Sequence, residues 1–245
     1  MACGNTKDQA GTATTSDGVV IKRGDIITLD GTFGEVMLGD IPKTEASSSD
    51  DFQLLLSWAD KHRRLKVRAN AETPEDAAKA RELGAEGIGL VRTEHMFFDA
   101  GRIDVIRAMI LAETDEERRK YLDELQVFQH DDMLELFKVM DGLPVTVRLL
   151  DPPLHEFLPQ SEEDVQALAE RIGKPAEKIR EIAGRLEEVN PMLGFRGCRL
   201  SVVYPEITEM QVKAIISAAA DATEQGCKPL PEIMIPLVIN VREIR

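Results

Sequence analysis

From residue 65 onward, short β-branched runs alternate with helix-patterned segments, and that alternation is the tightest constraint on the fold. LKVRANA (65–71), GIGLV (87–91), PVTVRLL (144–150), NPMLGFRGCRL and EIMIPLVI (232–239) read as strands. Between them lie PEDAAKAREL, a helical region from about 102 to 140, two pieces between about 161 and 188, and a helix over about 205–225. Parallel strands cannot be joined by a tight turn, so this order demands crossover helices over a parallel sheet. The expected class is α/β. Helix ends are marked as well: Thr73 reads as a cap before Pro74, with Asp76 in the first turn and Gly84 at the close. Thr114 and Glu117 have the spacing of a capping box.

About five βα units are visible, and Val241 to Arg245 opens another helix. A closed (β/α)8 barrel takes ~250 residues, more than remain after residue 51. The expectation is a partial (β/α)8 TIM barrel over residues 52–245, in a chain that is a fragment. An open sheet of this kind exposes an edge, which predicts poor solubility or dimerisation.

The first part of the chain has a different texture. Residues 1–18 are polar and read as a disordered leader. Residues 19–38 contain three short β-branched runs broken at Arg23-Gly24-Asp25 and Asp30-Gly31-Thr32, the second a hairpin signal. Residues 19–41 are thus expected to be a small β-rich piece of a separate domain, and 42–51 a linker. FQLLLSWADKHRR, which follows, reads as an amphipathic helix.

Composition narrows the partners. A net charge of −14 argues against a nucleic-acid backbone or an anionic membrane surface. No run approaches 18 apolar residues, so no membrane span is expected. Cys3, Cys198 and Cys227 are odd in number and widely spaced, which fits a reducing compartment, the cytoplasm, rather than a disulfide frame or a zinc site.

Against that acidic background three arginines stand out. Arg92, Arg148 and Arg196 each follow a strand-like run, in EGIGLVRTE, PVTVRLLDPP and NPMLGFRGCRL. The carboxyl ends of the strands carry the active site in a barrel. A guanidinium donates two parallel hydrogen bonds and stays charged, so three at equivalent ends predict a pocket for a small, strongly negative ligand. Gly89, Gly194 and Gly197 beside them would let a ligand approach the backbone. The alternative is structural pairing: Arg92 with Glu94, Arg148 with Asp151, and Arg196 with one of many carboxylates.

VRANAETPEDA, GAEGIGLVRTEHMFF, VRLLDPPLHEFLP, NPMLGFRGCRL and PEIMIPLV resemble the pyruvate, phosphate dikinases, of the phosphoenolpyruvate (PEP)-utilising group. GDIITLDGTFGEVMLGD is similar to the tail of that family's swivelling phosphohistidine domain. The resemblance implies a phosphotransferase, ATP + pyruvate + phosphate ⇌ AMP + phosphoenolpyruvate + diphosphate, with PEP or pyruvate, the phosphohistidine domain and a second subunit as partners. It implies Mg2+ as cofactor, and Arg92, Arg148 and Arg196 as the residues that hold the phosphoryl group and carboxylate.

The family's phosphoacceptor histidine, proton-donating cysteine and metal-binding glutamate and aspartate match no string here. No catalytic or metal-ligating residue is therefore assigned, the metal ligands being expected beyond Arg245, and the chain alone is expected to be inactive. Glu232 is a weak metal candidate, at the wrong end of its strand. Cys198 is expected to be a buried neutral thiol, and His95 and His155 to be packing residues. His62 sits on a basic helix end and His130 on a polar helix face. Ile239-Asn240 stands where the family commonly has glycine. The other readings are a PEP synthase or phosphotransferase-system enzyme I relative, or a non-catalytic PEP-binding module.

Overall fold

The computed structural model describes residues 11–15, 18–42, 50–99 and 101–244. Its parallel sheet is built from four strands, β5 (Ala69–Asn70), β6 (Ile88–Arg92), β7 (Pro144–Arg148) and β8 (Leu230–Met234), adjacent in chain order. Helix α2 (Pro74–Glu82) crosses from β5 to β6, and α3 (Arg102–Ile110) with α4 (Asp115–Val139) from β6 to β7. The last crossover carries α5 (Glu162–Ile172), α6 (Ala176–Leu186), α7 (Cys198–Val203) and α8 (Pro205–Glu224).

The caps form where the sequence marks them. Thr73 Oγ1 accepts from the Asp76 amide at 3.1 Å, and Gly84 takes a φ of +94° where α2 turns back to the sheet. Thr114 Oγ1 accepts from Glu117 N at 3.1 Å. The reciprocal bond of the expected capping box shifts by one residue, with Glu117 Oε2 accepting from Glu113 N at 3.0 Å.

One face of the sheet is apolar and covered. Ile88, Val91, Val145 and Val147 are fully buried against Met133, Leu136 and Phe137 of α4 and Ile215, Ala218 and Ala222 of α8. Each such large side chain contributes roughly 1.5–3 kcal/mol through burial. A second cluster gathers Phe97, Met109, Leu125, Phe157, Leu168 and Ile179 from α3 to α6 and the turns between them.

The expected strand in NPMLGFRGCRL does not form. Asn190 turns the chain, its Oδ1 accepting from Met192 N at 3.0 Å and its carbonyl from Leu193 N at 3.1 Å. Glu188 Oε1 takes the Phe195 amide at 2.5 Å. These side chains claim the amides that a ladder would need, so β8 pairs directly with β7. The expectation of about five strands in the parallel sheet is corrected to four among the described residues.

The chain divides between Arg64 and Leu65. The first unit holds two antiparallel pairs, β1 (Thr12–Thr14) with β2 (Val20–Lys22) and β3 (Ile27–Asp30) with β4 (Glu35–Leu38), and α1 (Asp50–His62). The Asp-Gly hairpin signal is correct: Asp30 Oδ1 accepts from Thr32 N and Phe33 N in the turn between β3 and β4. Residues 12–14, expected within a disordered leader, instead form β1, because each can pair with a residue of β2. Residues 1–10 of that leader and 43–49 of the linker lie outside the described residues.

Candidate functional site

Arg92 and Arg148 are the last residues of β6 and β7 and face each other in register. Strand pairing alone therefore sets two guanidinium groups side by side at the carboxyl end of the sheet. Past β7 the chain runs through Leu149 and Leu150, both buried, to Asp151, also buried. There Asp151 Oδ2 meets Arg148 Nη1 at 2.9 Å and Arg196 Nη2 at 3.0 Å. The Asp151 carbonyl also accepts from Arg196 Nε at 3.2 Å and from Gly197 N at 3.1 Å. One aspartate thus draws the third arginine, on its loop, to the other two.

The structural pairing differs in part from expectation. Arg92 does not take Glu94; its Nη1 meets Glu72 Oε1 at 2.5 Å. Glu94, nearly fully buried, pairs with Arg148 through Arg148 Nη2. The reason is direction: Glu94 lies two residues past Arg92 in the 3-10 turn Thr93–Phe97, which carries it towards β7. Three carboxylates, Glu72, Glu94 and Asp151, therefore hold three cations. Glu94 Oε2, Asp151 Oδ1 and Arg148 Nε remain buried with no protein partner. Such atoms are uncommon in a folded interior and call for a ligand, ion or water to satisfy them.

A buried relay steadies the strand ends. Gln211 of α8 donates from Nε2 to Thr93 Oγ1 at 2.9 Å and accepts at Oε1 from Leu150 N at 2.8 Å. Thr93 Oγ1 donates to the Arg148 carbonyl at 3.0 Å. Sequence reading missed Gln211, Glu72 and Thr93. The available signal was a glutamine on the face of α8 that otherwise presents Ile207, Met210, Ala214 and Ile215 to the core.

The glycines serve packing inside the protein. A Cβ on Gly194 would fall 1.0 Å from Glu188 Oε2, and one on Gly197 would meet Leu237 Cδ1 at 3.0 Å. Gly197 also has a φ of +58°, a left-handed conformation that other residues adopt at a cost.

Glu232 stands in the middle of β8, not at its end, and is held by Arg68 Nη2 at 3.1 Å and Thr146 Oγ1 at 2.7 Å. The Arg68 hydrogen bond, helped by Thr146, keeps its carboxyl below the ordinary range. Its oxygens are committed to that pair. Cys198 is buried, its Sγ donating to Leu237 O at 3.2 Å, and burial, with Glu243 nearby, pushes the thiol up. His95 is exposed against Phe98, while His155 Nδ1 is buried without a protein partner. Asn240 caps the turn Val241–Glu243, with Glu243 Oε2 accepting from Asn240 N at 2.8 Å. That capping gives Asn240 a local task.

Among the described residues no group of three or more His, Cys, Asp or Glu side chains could hold a metal ion. Nor is any described helix long and apolar enough to cross a membrane.

Comparison with known proteins bears on this arginine-lined sheet end. Pyruvate, phosphate dikinase of Rhizobium meliloti (strain 1021) is 51% identical over 94% of this chain and 26% of its own length. The chloroplastic enzyme of Flaveria trinervia is 55% identical over 92% of the chain and 24% of its own length. That of Giardia intestinalis is 52% identical over 91% of the chain and 25% of its own length. The chain thus spans about a quarter of the curated relatives it matches. A family model described as PEP-utilising enzyme, PEP-binding domain, matches residues 46–245, the stretch that contains all three arginines. On that match, the chain belongs to the PEP-utilising enzymes, through their PEP-binding domain.

Proposed function

We propose that Arg92, Arg148 and Arg196 bind PEP and pyruvate, and that the chain is the substrate-binding part of a pyruvate, phosphate dikinase. The observation that carries this reading is Asp151, which joins Arg148 to Arg196 while Arg92 lies in register beside Arg148. Two parallel N–H donors per guanidinium suit a phosphoryl group at one end of the ligand and a carboxylate at the other. In phosphoryl transfer, protein catalysis is mostly positioning and charge stabilisation, which fixed guanidinium groups supply.

In the resting arrangement three carboxylates already balance three arginines. A trianionic ligand must compete with them, so binding to this chain is expected to be weak. The family implies Mg2+, but the residues present do not fit a magnesium centre: Glu72, Glu94, Asp151 and Glu232 are each engaged by an arginine.

The sheet supports a further reading, as the first part of a (β/α)8 barrel over residues 52–245. Its strands lie in chain order, its helices cover one face, and β8 is an edge with Leu230, Ile233 and Met234 partly open. Residues 19–41 would then be the tail of a phosphohistidine domain, which with a second subunit forms the set of macromolecular partners. Among the described residues Cys198 and Cys227 are unpaired, which favours the cytoplasm as location.

Calorimetric titration of PEP into the whole chain tests the reading. Weak binding is expected, reduced at least tenfold by Arg196→Gln and raised less than tenfold by Mg2+. Absence of binding at millimolar PEP, or full retention in Arg196→Gln, would refute it; a large Mg2+-dependent gain would refute the metal argument alone.

A further inference from the structure

A cavity of about 310 Å³ lies among α3, α4, α6 and the start of α8, lined by residues that the arginine network does not use. That volume is at the lower end of small-molecule sites, roughly 300–1,000 Å³. Its apolar lining includes Met109, Leu154, Ile182 and Ile207. Its charged lining is Arg118, Lys178, Arg185 and Glu113, three cations against one carboxylate in a chain whose net charge is −14.

The three cations are not equally committed. Arg118 is taken: its Nη1 meets Glu206 Oε1 at 2.8 Å and Asp115 Oδ1 at 3.1 Å, and its guanidinium lies 4.3 Å from the centre of the Tyr204 ring. Lys178 is looser, with Glu181 at 3.5 Å and Glu113 at 3.7 Å, both too long for a good ammonium–carboxylate hydrogen bond. The side chain of Arg185, about two turns further along α6, makes neither a hydrogen bond nor an ion pair with the described residues. Long cationic side chains on a helix often lie along apolar surface with the charge in water. Here two of them line one partly open cavity that also has apolar side chains in its lining, an arrangement that suits a ligand with the opposite charge at one end only.

We propose that this cavity binds a small organic anion, an apolar body carrying a single phosphate or carboxylate, at a site separate from Arg92, Arg148 and Arg196. Lys178 and Arg185 hold the charge, and the Met109, Leu154 and Ile182 wall holds the body. Leu154 stands three residues beyond Asp151, in the same DPPLHEF segment, so the two sites share a covalent connection.

The test uses the whole chain, isotopically labelled, with phenyl phosphate as probe and inorganic phosphate and phenol as its separate halves. Phenyl phosphate is expected to shift the backbone amides of residues 109–118, 178–186 and 204–207. Each half is expected to bind at least tenfold more weakly. Lys178→Gln/Arg185→Gln, which alters only groups at the cavity's open side, should weaken phenyl phosphate at least tenfold while leaving the circular dichroism unchanged. No shifts at several millimolar, shifts confined to the surroundings of Arg92, Arg148 and Arg196, equal binding of either half, or unchanged affinity in the double variant would each overturn the proposal.

Discussion

The two units of this chain use apolar residues in opposite ways. Beyond Leu65, helices α2, α4 and α8 have a sheet face to cover, and residues such as Phe137, Leu136 and Val145 lose all contact with water. Before it, strands come in isolated pairs, and α1 contains no buried residue although Phe52, Leu54, Leu55, Leu56 and Trp58 recur along it. Two-stranded pairs are marginal alone in water. Apolar spacing declares that a helix can form and which face it offers; it does not supply the surface that covers that face.

Four substitutions would break or sharpen that contrast. Phe137→Ala removes a ring from the centre of the sheet–helix core and should cost about 3–5 kcal/mol in chemical denaturation. A cost below about 1 kcal/mol would mean the core is looser than its burial implies. Asp151→Ala comes next, at about 2–3 kcal/mol, less than a fully buried pair because Arg148 keeps Glu94. If it costs nothing, Asp151 does not hold the arginine network together in solution.

His130 links α4 to α8, its Nε2 2.9 Å from Asp221 Oδ2 and its Nδ1 3.0 Å from Asp131 Oδ1. The hydrogen bond to Asp131 raises its pKa above the ordinary 6.5, burial opposes this in part, and Asp221 raises it further. A folded-state pKa above the unfolded one gives stability that is complete below about 6.5 and fades as pH rises through the raised value. His130→Gln should therefore lag the parent most at acid pH and converge with it in mildly alkaline buffer. A gap that widens with pH would reverse the assignment. The smallest effect belongs to Leu55→Ala in α1, where a side chain 57% exposed should give less than about 0.5 kcal/mol. A larger loss would reveal that α1 is covered in solution.

Much of the fold was legible because local signals and the larger pattern agreed. Thr73 with Pro74, and the Asp30-Gly31 step, each fixed a chain direction that the neighbouring runs then followed. The Met192-Leu193 pair misled, since both side chains are more than 70% exposed in a turn organised by Asn190. A short apolar run carries no record of whether its amides are already claimed by nearby side chains. In the candidate site, all three arginines were read as strand-end residues; Arg92 and Arg148 do end strands, whereas Arg196 lies on a loop held by Asp151. Glu72, twenty residues before Arg92, and Gln211, 118 residues after Thr93, could not be found, because nothing local specifies a partner brought in from the end of a neighbouring strand or by a crossover helix.

The central claim is that three arginines, brought together by strand register and Asp151, act as one site for PEP. Side-chain Nε–Hε resonances of Arg92, Arg148 and Arg196, followed by NMR as PEP is added to the whole chain, test it most directly. The account predicts that all three move together along curves with one dissociation constant. Movement of only one of them, or of none while PEP binds elsewhere, would contradict it.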